Sequence, residues 1–193
     1  MKASEAWSPD ELLTRASAGE SAAFAALVRR YQRTVYSIAL RMLGDRHRAE
    51  DLAQEVFLQL YRSLESIGSD AHLAFWLRKV AVNRAIDRIR QEARYDNEPL
   101  TEAAIVADGI GDADPLLQRR MADLVSQLPP AARAVVILRY QEDLDPVDIA
   151  STLDMPINTV KSHLKRSLTS LRARVLGAAI VDDVLPSMSG PSR

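Results

Sequence analysis

The sequence predicts an all-α protein: two helical domains joined by a flexible linker, the C-terminal one a helix-turn-helix bundle. Three observations carry that expectation. Apolar residues recur at i, i+3, i+4 and i+7 along most of the chain and no stretch alternates with period two, so helices are expected and strands are not. Residues 96–115 break the pattern with Pro99, Gly109, Gly111 and Pro115 and carry six acids and no base, a composition that favours an extended linker. Beyond it, two short helical stretches are separated by only Asp154, Met155, Pro156 and Ile157, which is helix-turn-helix spacing.

The elements follow in order. Ser8, Pro9 and Glu11 read as a capping box with proline at the first helical position, which opens a short helix ending before Gly19. Ser21 is expected to cap a long helix from Ala22 to Leu43, with Phe24, Leu27, Val28, Tyr31, Val35, Ile38, Ala39 and Met42 facing inward and Gly44 as its stop. Asp45 restarts the chain. Ala49, Leu52, Ala53, Val56, Phe57, Leu60, Tyr61 and Leu64 then form the stripe of a second helix ending before Gly68. A third is expected from about Ala71 to Arg94, with Leu77, Val80, Ala81 and Ala85 toward the core; Trp76 lies inside that apolar pattern and reads as a core residue rather than a stacking platform. After the linker come Leu116 to Gln127, Pro130 to Tyr140, Pro146 to Leu153, and Asn158 to about Val175, with Asp145 and Asn158 as caps of the last two. The domains are thus a lead-in over 1–23, a first domain over 24–95, the linker over 96–115, a second domain over 116–175, and a tail over 176–193 expected to fray.

A net charge of -1 hides a division. Residues 24–95 hold 13 Lys+Arg against 8 Asp+Glu, and residues 116–175 hold 9 against 6, so two basic blocks flank the acidic linker. The chain has no cysteine, which removes disulfides and thiolate metal sites. It has no apolar run near the roughly 20 residues of a membrane span. Its first residues, MKASEAWSPDELL, lack the apolar stretch of a secretion signal, so the expectation is a cytoplasmic protein with no membrane insertion. His47, His72 and His163 are scattered, no zinc-binding HExxH spacing occurs and no glycine-rich phosphate loop follows a strand, so neither an enzyme nor a cofactor is expected.

Three constellations carry function. In the last helix Val160, Leu164, Leu168 and Leu171 make an apolar stripe, while Asn158, Lys161, Ser162 and Lys165 occupy another face flanked by His163 and Arg166. Cations for phosphate or guanine and short polar side chains for base edges suit a helix whose N-terminal turns enter the major groove. A lone basic helix is more often an ordinary solvated face; the short helix and tight turn before it reverse that and favour DNA. Second, AEDLAQEVF (49–57) projects Glu50, Asp51, Gln54 and Glu55 away from the apolar stripe, either as solvated acids at a helix start or as a docking ridge for a basic partner. Third, FWLRKVAVNRAIDRIR (75–90) places Asn83, Asp87, Arg90 and Arg94 on one exposed stripe with Arg84 and Arg88 beside it, a mixture suited to phosphate contacts and a few base contacts. The loop from Ser66 to Ala74 could present backbone and small side chains to an unstacked base.

At these stretches the chain resembles the extracytoplasmic-function (ECF) sigma factors, group IV of the sigma-70 family, from Phe24 to Val175. AEDLAQEVF is similar to the family's region 2.2, FWLRKVAVNRAIDRIR to regions 2.3 and 2.4, and DPVDIASTLDMPINTVKSHLKRSLTSLR to region 4.2; Leu128 and Pro129 match the "LP" entry into the C-terminal domain. The resemblance implies a sigma factor that binds core RNA polymerase through its clamp coiled coil and flap, recognises minus-10 and minus-35 promoter elements and initiates transcription of a regulon. It implies Glu50, Asp51, Gln54 and Glu55 for polymerase docking and Asn83, Arg84, Asp87 and Arg90 for the minus-10 strand. It implies Asn158, Thr159, Lys161, Ser162, His163, Lys165 and Arg166 for the minus-35 element, and leaves an anti-sigma factor open as a further partner. The chain departs from the family pattern at Asp154 and Asn158, where glycine is usual, and at His163, where arginine is usual, which bears on promoter preference. The acidic linker resembles a connector that mimics a polyanion in polymerase channels. A free-standing helix-turn-helix regulator would need only the C-terminal block, and an adaptor that binds polymerase without reading DNA would leave the basic face of 158–166 without a purpose.

Overall fold

A computed structural model describes residues 7–95 and 115–184, and they are helical throughout apart from short turns. Most of the expected linker, together with the start of the lead-in and the end of the tail, lies outside the described residues. Four helices precede the linker: α1 (Pro9–Ser17), α2 (Ser21–Leu43), α3 (Arg46–Ser63) and α4 (Asp70–Tyr95), with a 3₁₀ turn at Leu64–Ser66. Four follow it: α5 (Pro115–Ser126), α6 (Pro130–Tyr140), α7 (Pro146–Thr152) and α8 (Ile157–Val184). Among the described residues there is no strand.

Local chemistry sets most boundaries. Ser8 and Glu11 form the reciprocal capping box at α1, Gly44 ends α2 in the left-handed region at φ 72°, and Asp45 and Asp145 accept N–H bonds at the starts of α3 and α7. Two expected caps are corrected. Ser21 is already the first residue of α2; Glu20 holds the cap position without a side-chain bond to the helix, its carboxylate being engaged by Arg15 at 3.1 Å. Asn158 lies inside the first turn of α8, because the Pro156 carbonyl accepts from the Thr159 and Val160 N–H groups and the helix starts at Ile157. Helix α8 also continues past Val175 to Val184, since no proline or capping glycine geometry stops it there.

Helix α2 is the spine of the first unit, packed on by α1, α3 and α4. Leu27, Ile38, Met42, Leu52, Leu60, Leu73 and Leu77 are fully buried between these helices, each worth about 1.5–3 kcal/mol of burial. In the second unit α6 is enclosed on several sides, with Ala134, Val135, Ile137 and Leu138 all buried, and Ile149 of α7 and Val160 of α8 close the core. The two units meet directly. Residues of α6, α7 and α8 belong to the same apolar cluster as those of α2 and α4, and a smaller cluster of Leu128, Ala132, Val136 and Leu171 holds α5 against α6 and α8.

Candidate nucleic-acid interface and docking groove

Asp145 positions the helix-turn-helix: its carboxylate accepts from the N–H groups of Val147 and Asp148 at 2.8 Å each, fixing the start of α7. The chain then turns through Asp154, in the left-handed region at φ 49°, into α8. Val160, Ser167 and Leu171 are buried and Leu164 and Leu168 half-buried, so the inward stripe is the expected one with Ser167 added. Asn158, Thr159, Lys161, Ser162, Lys165 and Arg166 are exposed together on the outer face, and His163 is half-buried at its edge. Ser162 donates its hydroxyl to the Asn158 carbonyl at 2.8 Å. No ion pair engages Lys161, Lys165 or Arg166 among the described residues, so their charge is available to a phosphate.

Helix α4 is arranged differently. Asp87 and Arg90 are exposed and line a shallow depression with Gln91 and Arg94, while Asn83 is half-buried. Arg84 turns toward α3: Nε and Nη2 donate to Gln59 Oε1 at 2.9 and 2.7 Å, and Nη1 to Glu55 Oε2 at 3.0 Å. Arg88 donates to Glu55 Oε1 at 2.6 Å and to the Arg48 carbonyl at 3.1 Å. The structure therefore brings together two residues read from sequence as belonging to separate sites. Glu55 lies between Arg84 and Arg88, spaced one helical turn apart, and is half-buried rather than projecting with its neighbours. Glu50, Asp51 and Gln54 remain exposed.

Those three sit beside a feature the sequence pattern did not disclose. Between α2 and α3 runs an apolar groove of about 900 Å³, lined by Phe24, Val28, Tyr36, Phe57, Leu58 and Tyr61, with Glu50 and Gln54 on its rim. Phe24 and Tyr61 meet edge to face at 5.2 Å, yet Tyr61 is 61% exposed and Leu58 60%. Tyr61 was expected on the core stripe. The stripe of α3 is wider than the face α2 can cover, so its outer edge lines a groove instead; the signal in the sequence was that excess width.

Polar contacts join the two units. Arg133 of α6 donates to the carbonyl of Met42, at the end of α2, and to those of Ser126 and Leu128. Burial, and secondarily the like charge of Arg48, pull its guanidinium below the ordinary arginine pKa. Gln141 donates to the Ser37 hydroxyl, Arg78 Nε meets Glu142 Oε2 at 2.8 Å, and Lys79 Nζ meets Asp154 Oδ1 at 2.8 Å.

Comparison with known proteins matches residues 27–95 to the family Sigma-70 region 2 and residues 118–171 to Sigma-70, region 4. Over 170 residues the chain is 33% identical to the ECF RNA polymerase sigma factor SigW of Bacillus subtilis, covering 81% of this chain and 91% of that protein. It is 30% identical over 177 residues to the ECF RNA polymerase sigma-E factor of Haemophilus influenzae, covering 85% and 93%. Two solved structures share the fold. CnrH, in complex with the cytosolic domain of CnrY, has a TM-score of 0.65 at 20% identity over 88% of this chain and 97% of its own. RpoE of Bartonella quintana, in complex with the anti-sigma factor NepR, has 0.64 at 21% identity over 78% and 94%.

Proposed function

The chain belongs to the ECF sigma factors of the sigma-70 family, which recognise promoters for RNA polymerase, and from that premise we propose where each contact is made. The observation that carries the reading is the outer face of α8, where six polar or basic side chains stand exposed within the first three turns of a helix-turn-helix. Asn158, Thr159, Lys161, Ser162, His163, Lys165 and Arg166 read the minus-35 element, the short polar groups at base edges and the cations on phosphate. Asn83, Asp87 and Arg90 face the minus-10 strand. Arg84 supports that face from within, since its guanidinium is held by Gln59 and Glu55.

The groove between α2 and α3 takes the clamp coiled coil of core polymerase. Its apolar floor suits a helical partner, and its polar rim of Gln32, Arg33, Glu50 and Gln54, with Asp51 exposed next to Glu50 in sequence, suits one that carries charged groups. Glu55 contributes by holding α3 to α4 through Arg84 and Arg88. The second unit meets the polymerase flap, so weak contacts at two promoter elements act together through effective concentration. The chain acts in the cytoplasm; no helix of the described residues is long and apolar enough to cross a membrane. An anti-sigma factor is a further partner, supported by RpoE of Bartonella quintana, which shares the fold and was solved with the anti-sigma factor NepR. Sigma factors are non-catalytic regulators, and this reading gives the chain no reaction of its own.

The test is transcription in vitro, with sigma-free core polymerase on promoter DNA from the source genome, with and without the protein. Start sites that depend on it, sharing two spaced elements, are the expected result. DNA binding that ignores core would instead show a free-standing regulator, and core binding without transcription an adaptor.

A further inference from the structure

Helix α1 has no task in the reading above, and it precedes the residues matched to Sigma-70 region 2, which begin at 27. Its contacts are nevertheless specific. At its C-terminal end the Ser17 hydroxyl lies 3.5 Å from the carbonyl of Leu64, and at its N-terminal end the Asp10 carboxylate accepts from the N–H of Asp70 at 2.8 Å. Between them Leu12, Leu13 and Ala16 are buried. Helix α1 is therefore a splint on the segment 64–70, touching it where it leaves α3 and where it enters α4.

The first N–H groups of a helix have no partner within it. At α4 the Ser69 hydroxyl accepts from the His72 N–H at 3.2 Å, and the Asp70 N–H goes to Asp10. The cap is thus completed by a residue 60 positions away. The side chain of Asp70 is held as well: Oδ1 accepts from the Tyr31 hydroxyl and Oδ2 lies 3.7 Å from Arg30 Nη2, both on α2. One residue is fixed by its backbone from α1 and by its side chain from α2. Just before it Ile67 is buried while Ser66, Gly68 and His72 are exposed, with the Gly68 N–H donating to His72 Nδ1 at 3.4 Å. A loop ordered in advance binds more tightly, because the cost of ordering it is not met at binding.

We propose that Asp10 is a positioning residue of the minus-10 site: by capping α4 from α1 it holds the loop 66–72 in the shape that receives an unstacked base. The proposal rests on the reading of that loop as the holder of an unstacked base of the minus-10 strand. Asp10 acts through Asp70 rather than on the DNA. It is exposed, so its truncation leaves the core of the first unit intact.

The experiment uses holoenzyme, reconstituted from the full chain and core polymerase, on the minus-10 strand of a promoter it transcribes. A fluorescent base analogue that brightens on leaving the stack replaces one base of the element at a time. The unsubstituted protein is expected to brighten one position. Asp10→Ala is expected to remove that signal and weaken binding of the strand roughly three- to tenfold, with core affinity and minus-35 duplex binding unchanged. Asp10→Asn keeps an acceptor oxygen and is expected to restore both. An Asp10→Ala protein that brightens the base normally would overturn the proposal, and so would an Asp10→Asn protein that behaves like Asp10→Ala. A defect spread equally over core, minus-35 and minus-10 binding would also overturn it, since that is loss of fold. Gly68→Val, at a position with open space for a side chain, and His72→Ala alter the loop itself. If no position brightens, or if both loop variants leave the brightened base unchanged, the loop does not hold the base, and the underlying reading fails with the proposal.

Discussion

Helix α4 is packed on by α1, α2, α3, α6 and α7, whereas α8 leaves its outer face open to solvent from Asn158 to Thr169. The two are assigned the same kind of task. In α4 the buried set Leu73, Leu77, Ala81, Val82, Ala85 and Ile86 wraps most of the circumference, and Arg84 and Arg88 are tied to Glu55. In α8 the inward stripe is narrow, and among the described residues no ion pair engages Lys161, Lys165 or Arg166. On the proposed assignment, a residue of α4 therefore serves fold and readout together, while on α8 the two are divided between faces.

That contrast can be broken or sharpened by substitution. The largest effect is expected from Leu77→Ala, which empties a fully buried site on α4 and should cost about 2–5 kcal/mol in chemical denaturation. Leu168→Ala, on the half-buried stripe of α8, should cost clearly less. Arg133→Leu should follow at about 1–3 kcal/mol, because the carbonyls of Met42, Ser126 and Leu128 lose their donor. Asp145→Ala removes the cap of α7 and should cost about 1 kcal/mol, with loss of minus-35 binding as the helix-turn-helix loosens. Lys165→Ala should leave stability within about 0.5 kcal/mol, weaken minus-35 binding and reduce its salt dependence by about one counterion. A stability loss there comparable to Leu77→Ala would erase the distinction between the helices.

The start of α4 adds a dependence on pH. Tyr31 of α2 donates its hydroxyl to Asp70, the first residue of α4. Burial first, then that bond, hold the phenol above its ordinary pKa of 10.0. The associated stability is fully present below the unfolded phenol's pKa and is lost as pH rises through the raised folded value. Tyr31→Phe should flatten the alkaline limb of the stability curve, measured by denaturation across the pH series.

Helix positions were legible where one residue decides a boundary. Ser8, Gly44, Asp45 and Asp145 each act within their own turn, and the sequence names them directly. The start of α8 was misread because Asn158 is a good cap by type, whereas the carbonyl of Pro156 is a backbone feature with no side-chain signature. Among the site residues, the outer face of α8 followed from helical period alone. Glu55 did not: whether an acid on the flank of a helix meets water or a neighbouring arginine depends on the helix beside it, and Arg84 and Arg88 are about 30 positions away. The same reason hid the groove and the contact between the two units, which depend on the packing of helices distant in sequence.

At 1.5 Å per residue the 28 residues of α8 make a rod about 42 Å long. A major groove about 12 Å wide admits only its first few turns. On the proposed reading most of the rod would stand outside the DNA as a lever: a tilt of 5° about its first turns carries the far end through about 4 Å. Pressure applied near Val184 would thus be felt as a reorientation of Lys161 and Lys165, at a distance from any base they read.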